Sequence, residues 1–111
     1  MKLTSSRQNE VTVLAVSGEF TADSVRQFND SVAQTMARQA RDFVVHLAEV
    51  TSIDSAGLEA LTALQRQCEE QLGMVRFCGA DETLRKIFEL TRLDQRFAQH
   101  ETVEEALASF A

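Results

Sequence analysis

The sequence predicts an α/β fold in which a small mixed sheet is covered mainly on one side by about four helices. Three observations carry this expectation. Short β-branched, apolar runs alternate with longer stretches whose apolar residues recur every three or four positions, the pattern of strands alternating with amphipathic helices. The strands are too few for a large doubly wound sheet. The first two β-type stretches also lie close enough to form a hairpin, whereas the later ones are separated by helix-length segments that call for crossover connections.

Each element has its own signal. Val11-Thr12-Val13-Leu14-Ala15-Val16 is a β-branched run that stops at Ser17-Gly18. Leu3 to Arg7 can pair with it through a turn at Gln8-Asn9-Glu10. Val25, Phe28, Val32 and Met36 share one face of a helix spanning roughly residues 23–40. Phe43-Val44-Val45-His46-Leu47 is apolar nearly throughout and reads as a buried strand. Leu58, Leu61, Leu64 (or Gln65), Cys68 and Leu72 mark a second helix, with Gly73 placed for a left-handed C-terminal cap. Val75-Arg76-Phe77-Cys78 is a strand bounded by Gly73 and Gly79. Leu84, Ile87, Phe88 and Thr91 mark a shorter helix starting near Asp81. Thr102-Val103-Glu104-Glu105 is a capping box that opens a last helix with Val103, Ala106, Leu107 and Phe110 on its apolar face.

The 111 residues suit one domain over 1–111, and 44% apolar residues suffice for one core. With no proline and four glycines, neither a Pro-rich linker nor a Gly/Ser hinge is available. No apolar run approaches the roughly 18–20 residues needed to span a bilayer. The start, Met1 to Arg7, lacks the apolar stretch of a secretory signal, so a cytoplasmic location is expected. Net charge is −6 and the basic residues are scattered. That argues against nucleic acid, which demands a basic stripe to displace counterions, and against an anionic membrane surface. Basic protein partners remain compatible with it. Cys68 and Cys78 lack the close spacing of structural zinc ligands, and His46 and His100 are remote in sequence, so no metal or other cofactor is expected. The cysteines read as small apolar core residues.

The segment that carries chemistry is Asp54-Ser55-Ala56-Gly57, between the strand ending near Leu47 and the helix bearing Leu58 and Leu61. Asp54 or Ser55 is then the N-cap, and Ser55 lies in the first turn. Taken alone, a cap followed by small residues explains the pattern. Two further facts point to function. All four residues are small, leaving the helix start open to a partner. A helix start also stabilises negative charge, so phosphate on Ser55 can be accommodated while adding about 1.5–2 negative charges.

Ile53-Asp54-Ser55-Ala56-Gly57-Leu58 resembles the signature of STAS domains, specifically bacterial anti-sigma factor antagonists, in which it runs Asp-Ser-small-Gly-aliphatic. Val13 to Phe20 resembles the family's first core strand and Gly-Glu turn, Phe43 to Leu47 the strand before the motif, and Val75 to Gly79 the strand after its helix. The resemblance spans about the whole chain. It implies a four- or five-stranded mixed sheet packed against helices. It implies that Ser55 is phosphorylated by a serine protein kinase that doubles as an anti-sigma factor, and that a PP2C-type phosphatase removes the phosphate. The unphosphorylated form would bind the kinase, with Asp54, Ser55, Ala56, Gly57 and Leu58 in the contact surface. Thr21 and Asp23 stand where many relatives carry an aspartate after Gly-Glu-Phe. Both are also good N-caps for the first helix, but they join the expected partner surface. A free monomer is expected.

Catalysis by the chain itself finds little support. A nucleophile elbow wants Gly two residues before the serine, and Ile53 stands there. Asp54 adjoins Ser55 and so is badly placed to orient a histidine serving it, and His46 reads as an ordinary strand residue. Phosphate-cradling glycine loops are absent. The same motif occurs on STAS subunits of lipid-transporting ABC systems and of stress-signalling assemblies, which stand as the alternative. Leu90, Leu93 and Phe97 read as core, and Glu101, Glu104 and Glu105 as a solvated helix face.

Overall fold

Asn9 and Glu10 both adopt left-handed backbone, with φ 53° and 69°, and close a tight turn between β1 (Lys2–Gln8) and β2 (Val11–Phe20). Two consecutive positive φ values match the right-handed twist of the flanking strands, which is why such turns make hairpins. The computed structural model describes residues 1–110. Along the sheet the order is β1-β2-β3-β4-β5, with β3 at Asp42–Ile53, β4 at Val75–Cys78 and β5 at Gln99–His100. Among the described residues only the β1–β2 pair is antiparallel; the other three pairings are parallel.

The apolar side chains divide by strand alternation. Leu14, Val16, Phe43, Val45, Leu47, Val75 and Phe77 face one layer, made by α1 (Ala22–Ala37), α2 (Ser55–Glu70) and α3 (Glu82–Leu90). Val11, Val13, Val44 and Cys78 face the other way, onto Ala106 of α4 (Val103–Ala108) and its neighbours. Coverage is therefore mainly, though not wholly, on one side. The larger core holds the bulky aromatics: Phe20 and Phe28 lie 5.0 Å apart between ring centres, and Phe97 packs against Phe77 and Phe88 at 4.2 and 5.3 Å. Phe97 is buried and Leu93 packs against the core, but Leu90 is exposed.

Several expectations need correction. The first core strand continues through Ser17-Gly18 to Phe20, and the strand expected to end at Leu47 runs on to Ile53. Their pairing slips between Ala15 and Ser17 and again between Gly18 and Glu19, each time with an extra residue on the β3 side. Such bulges reset the two-residue alternation that reveals a strand in sequence. The left-handed residue after α2 is Leu72, with φ 62°, not Gly73. Gly73 is required for a different reason: a Cβ there would sit 2.1 Å from the Arg41 carbonyl oxygen. The capping box is half made. Thr102 accepts the Glu105 amide at 3.1 Å, while the Glu105 carboxylate takes the Glu101 amide at 3.4 Å instead of that of Thr102. Finally, register places His46, Cys78 and His100 on one row across three strands despite their separation in sequence. Among the described residues, no such group has the geometry to hold a metal ion.

Candidate functional site

Phe20 and Ile53 are register partners at the ends of the adjacent parallel strands β2 and β3. Each strand turns directly into a helix on the same face, so the starts of α1 and α2 meet at the carboxyl edge of the sheet. In open α/β sheets this edge is where loops can gather functional groups.

Asp54 joins the two helix starts. Its Oδ1 accepts the Gly57 amide of α2 at 2.9 Å, and its Oδ2 accepts the Ala22 amide of α1 at 3.0 Å. One carboxylate thus satisfies orphan amides on two helices. The first bond follows from a local cap; the second spans 32 residues and has no local signature. Those amide bonds, that of Gly57 first and Ala22 next, hold the Asp54 carboxyl below its ordinary value. Asp54 is therefore the N-cap of α2, and Ser55 is the first helical residue. Thr21 occupies the N-cap position of α1, but its side chain makes no capping bond, and Asp23 lies inside the first turn. Neither caps the helix as the sequence suggested; Asp54 reaches over and does so. Ser24 adds a further tie, its Oγ donating to the Glu19 carbonyl at 3.0 Å.

Exposure sorts the motif. Ser55 is exposed, Asp54, Ala56 and Leu58 are half-buried, and Gly57 is buried. A Cβ on Gly57 would lie 2.3 Å from the Phe20 carbonyl oxygen and 2.7 Å from Ile53 Cγ1. The absent side chain lets the protein's own β2 come close, so the openness of the helix start owes nothing to Gly57. Leu58 packs partly onto the core. Around Ser55 the rim is acidic, with Glu19, Asp23 and Glu59 all exposed. Beside it, a cavity of about 90 Å³ lies between the end of β3 and the start of α3, lined among others by Ser52, Ile53, Asp81 and Ile87. Sequence reasoning found the serine and its cap; the notch, which depends on how α3 leans on β3, had no signal.

A mixed sheet in this strand order, layered by helices and ending in an acid-capped helix start, has the architecture expected of a STAS-type α/β domain. The chain belongs to the STAS-domain family: residues 3–104 match the family model described as Mlab, STAS domain. Solved structures agree in fold. A candidate anti-sigma factor antagonist from Thermotoga maritima, tm1081, is 19% identical with a TM-score of 0.91, covering 96% of this chain and 92% of its own. The Bacillus cell fate determinant SpoIIAA in its phosphorylated form is 20% identical with a TM-score of 0.78, covering 99% and 100%. A sulfate transporter family protein from Wolinella succinogenes is 17% identical with a TM-score of 0.80, covering 94% and 87%. At such identities the likeness establishes the five-stranded, four-helix fold and leaves the role to the site.

Proposed function

We propose that the chain is an anti-sigma factor antagonist, a non-catalytic switch that binds an anti-sigma factor with serine kinase activity while Ser55 is unphosphorylated and releases it when Ser55 carries phosphate. The observation that carries this reading is Ser55 itself, an exposed hydroxyl in the first turn of α2 beside a carboxylate already committed to backbone amides. Because Asp54 is occupied, it holds the serine in place and is badly disposed to act as its base. The hydroxyl is better suited to accept a phosphoryl group from a partner than to attack a substrate.

The electrostatics suit a switch by occlusion. A partner surface that covers residues 54–58 must bury any phosphate on Ser55. Next to Asp54 and the acidic rim, that dianion finds no cation of this chain's own motif to pair with, and burying an unpaired charge costs several kcal/mol. A thousand-fold loss of affinity needs only about 4 kcal/mol. No conformational change is required. Ser55, Ala56 and Leu58 form the contact, Asp54 and Gly57 position it, and Thr21 and Asp23 extend it onto α1. A PP2C-type phosphatase resets the protein, which is monomeric when free and works in the cytoplasm.

The test is to incubate the protein with its kinase and ATP and locate phosphate by mass spectrometry. Phosphate on Ser55 is expected; phosphate elsewhere, or none, sinks the proposal. Ser55→Ala should retain kinase binding and Ser55→Asp weaken it. A second reading within the same family is a STAS regulatory subunit of a lipid-transporting ABC system, since the family match at residues 3–104 fixes the domain and not its partner. Stable co-purification with a transporter ATPase, and not with an anti-sigma kinase, would decide for it.

A further inference from the structure

At the other end of α1, a second feature is independent of Ser55. The helix of 16 residues is about 24 Å long at roughly 1.5 Å per residue, and its last turn leans over β1 and β2. Between them opens a cleft of about 220 Å³ whose lining includes Arg7, Arg38, Ser5, Ser6, Thr12 and Thr35. Its composition is unusual for this molecule. The chain carries 17 acidic against 11 basic residues, yet this cleft is lined by two arginines and no carboxylate.

The placement follows from register. Arg7 pairs with Thr12, and Ser5 with Leu14, so Arg7, Ser5 and Thr12 lie on the helix-facing side of the sheet. Arg38, the C-cap of α1, stands on the helical wall. Thr12 is only 5% exposed. Thr12 is thus a largely buried residue that still contributes to the lining of an open cleft, where a hydroxyl can donate to a bound acceptor. Thr35 differs: its Oγ1 donates back to the Ser31 and Val32 carbonyls at 3.1 and 2.9 Å, so it shapes the wall. The carbonyls that end α1 are also engaged, since the Arg38, Gln39 and Ala40 amides bond to Thr35 and Met36. The negative end of the helix is thereby partly neutralised towards the cleft.

We propose that this cleft is a binding site for a phosphate-class oxyanion, with Arg7 and Arg38 as its two charged walls and Thr12 as a hydroxyl donor at its base. Guanidinium groups on opposite walls favour phosphate over carboxylate, because a carboxylate is satisfied by one fork whereas phosphate presents acceptor oxygens to both. The group can arrive as free phosphate or on a small phosphomonoester; the chemistry recognised is the same.

The test is a titration of the isotopically labelled full chain with sodium phosphate, and separately with glycerol 3-phosphate, against sodium chloride at matched ionic strength. Amide shifts should move at Arg7, Thr12 and Arg38 with phosphate but not with chloride, while those of residues 54–58 stay still. Arg7→Gln and Arg38→Gln, both at exposed positions and so compatible with folding, should each weaken binding at least tenfold, and Arg66→Gln should not. A response to glycerol 3-phosphate alone assigns the site to the ester, and a response to both assigns it to the phosphate group. Shifts equal in phosphate and chloride, or unchanged in Arg38→Gln, overturn the proposal.

Discussion

Asp54 shows how much one side chain can do at a strand end. Its carboxylate is held by the Gly57 and Ala22 amides, which depress its pKa below the ordinary 3.8. A depressed acid stabilises the fold only while ionised. Its contribution is therefore complete above about pH 3.8 and lost as pH falls through the lower folded value. Asp54→Asn keeps one acceptor oxygen but turns an N–H₂ donor towards an amide that also donates. We expect a lower thermal midpoint at pH 7 and a flatter acid limb than wild type, read by circular dichroism between pH 5 and 2. Gly57 gives a sharper test. Because a methyl group there meets backbone at 2.3 Å, Gly57→Ala should destabilise by about 1–3 kcal/mol in urea unfolding. Retained stability would mean that β2 and α2 are not in such close contact.

At the scale of elements, the end of α2 carries an avoidable strain. Leu72 is left-handed and 90% exposed, so its side chain contributes little packing while its Cβ penalises the backbone. Leu72→Gly should raise stability by about 0.5 kcal/mol, the relief of strain less the entropy that glycine loses on folding. An unchanged or lower urea midpoint would count against this account. The same helix shows what the sequence makes legible. Its apolar face, its acid cap and its serine are all written within one stretch, because a helix satisfies its backbone locally. The hairpin was equally readable, with its turn residues between two β-type runs. What escaped was non-local. The two bulges broke the alternation of β3 beyond Leu47. β5 is only Gln99–His100, too short for any pattern. That α4 covers the opposite face depends on strand parity, and the Asp54–Ala22 bond depends on β2 and β3 ending side by side. Gly73 stands out in the sequence as a dihedral cap, but the Arg41 backbone that crowds it lies across the fold and leaves no local mark.

For the whole molecule, the proposed switch leaves the core untouched. Phosphorylation of Ser55 should move backbone chemical shifts near residues 54–58 and 20–22 and spare β4 and α4; changes throughout the sheet would contradict occlusion as the mechanism. The thiols report on the same core. Burial pushes Cys68 up to about 12 and Cys78 up to about 11, so neither supplies thiolate at neutral pH. Both should resist a thiol reagent in the native protein and react fully once urea unfolds it. The Asn9–Glu10 turn, finally, has a consequence in time. A hairpin closed by two residues forms within about 1–10 μs, whereas every other pairing in this sheet must wait for a helix-length crossover to be threaded. We therefore expect the β1–β2 ribbon to act as a nucleus onto which β3 adds. Replacing Glu10, which holds φ 69° without being glycine, by Gly should quicken refolding while leaving the unfolding rate nearly unchanged in stopped-flow experiments.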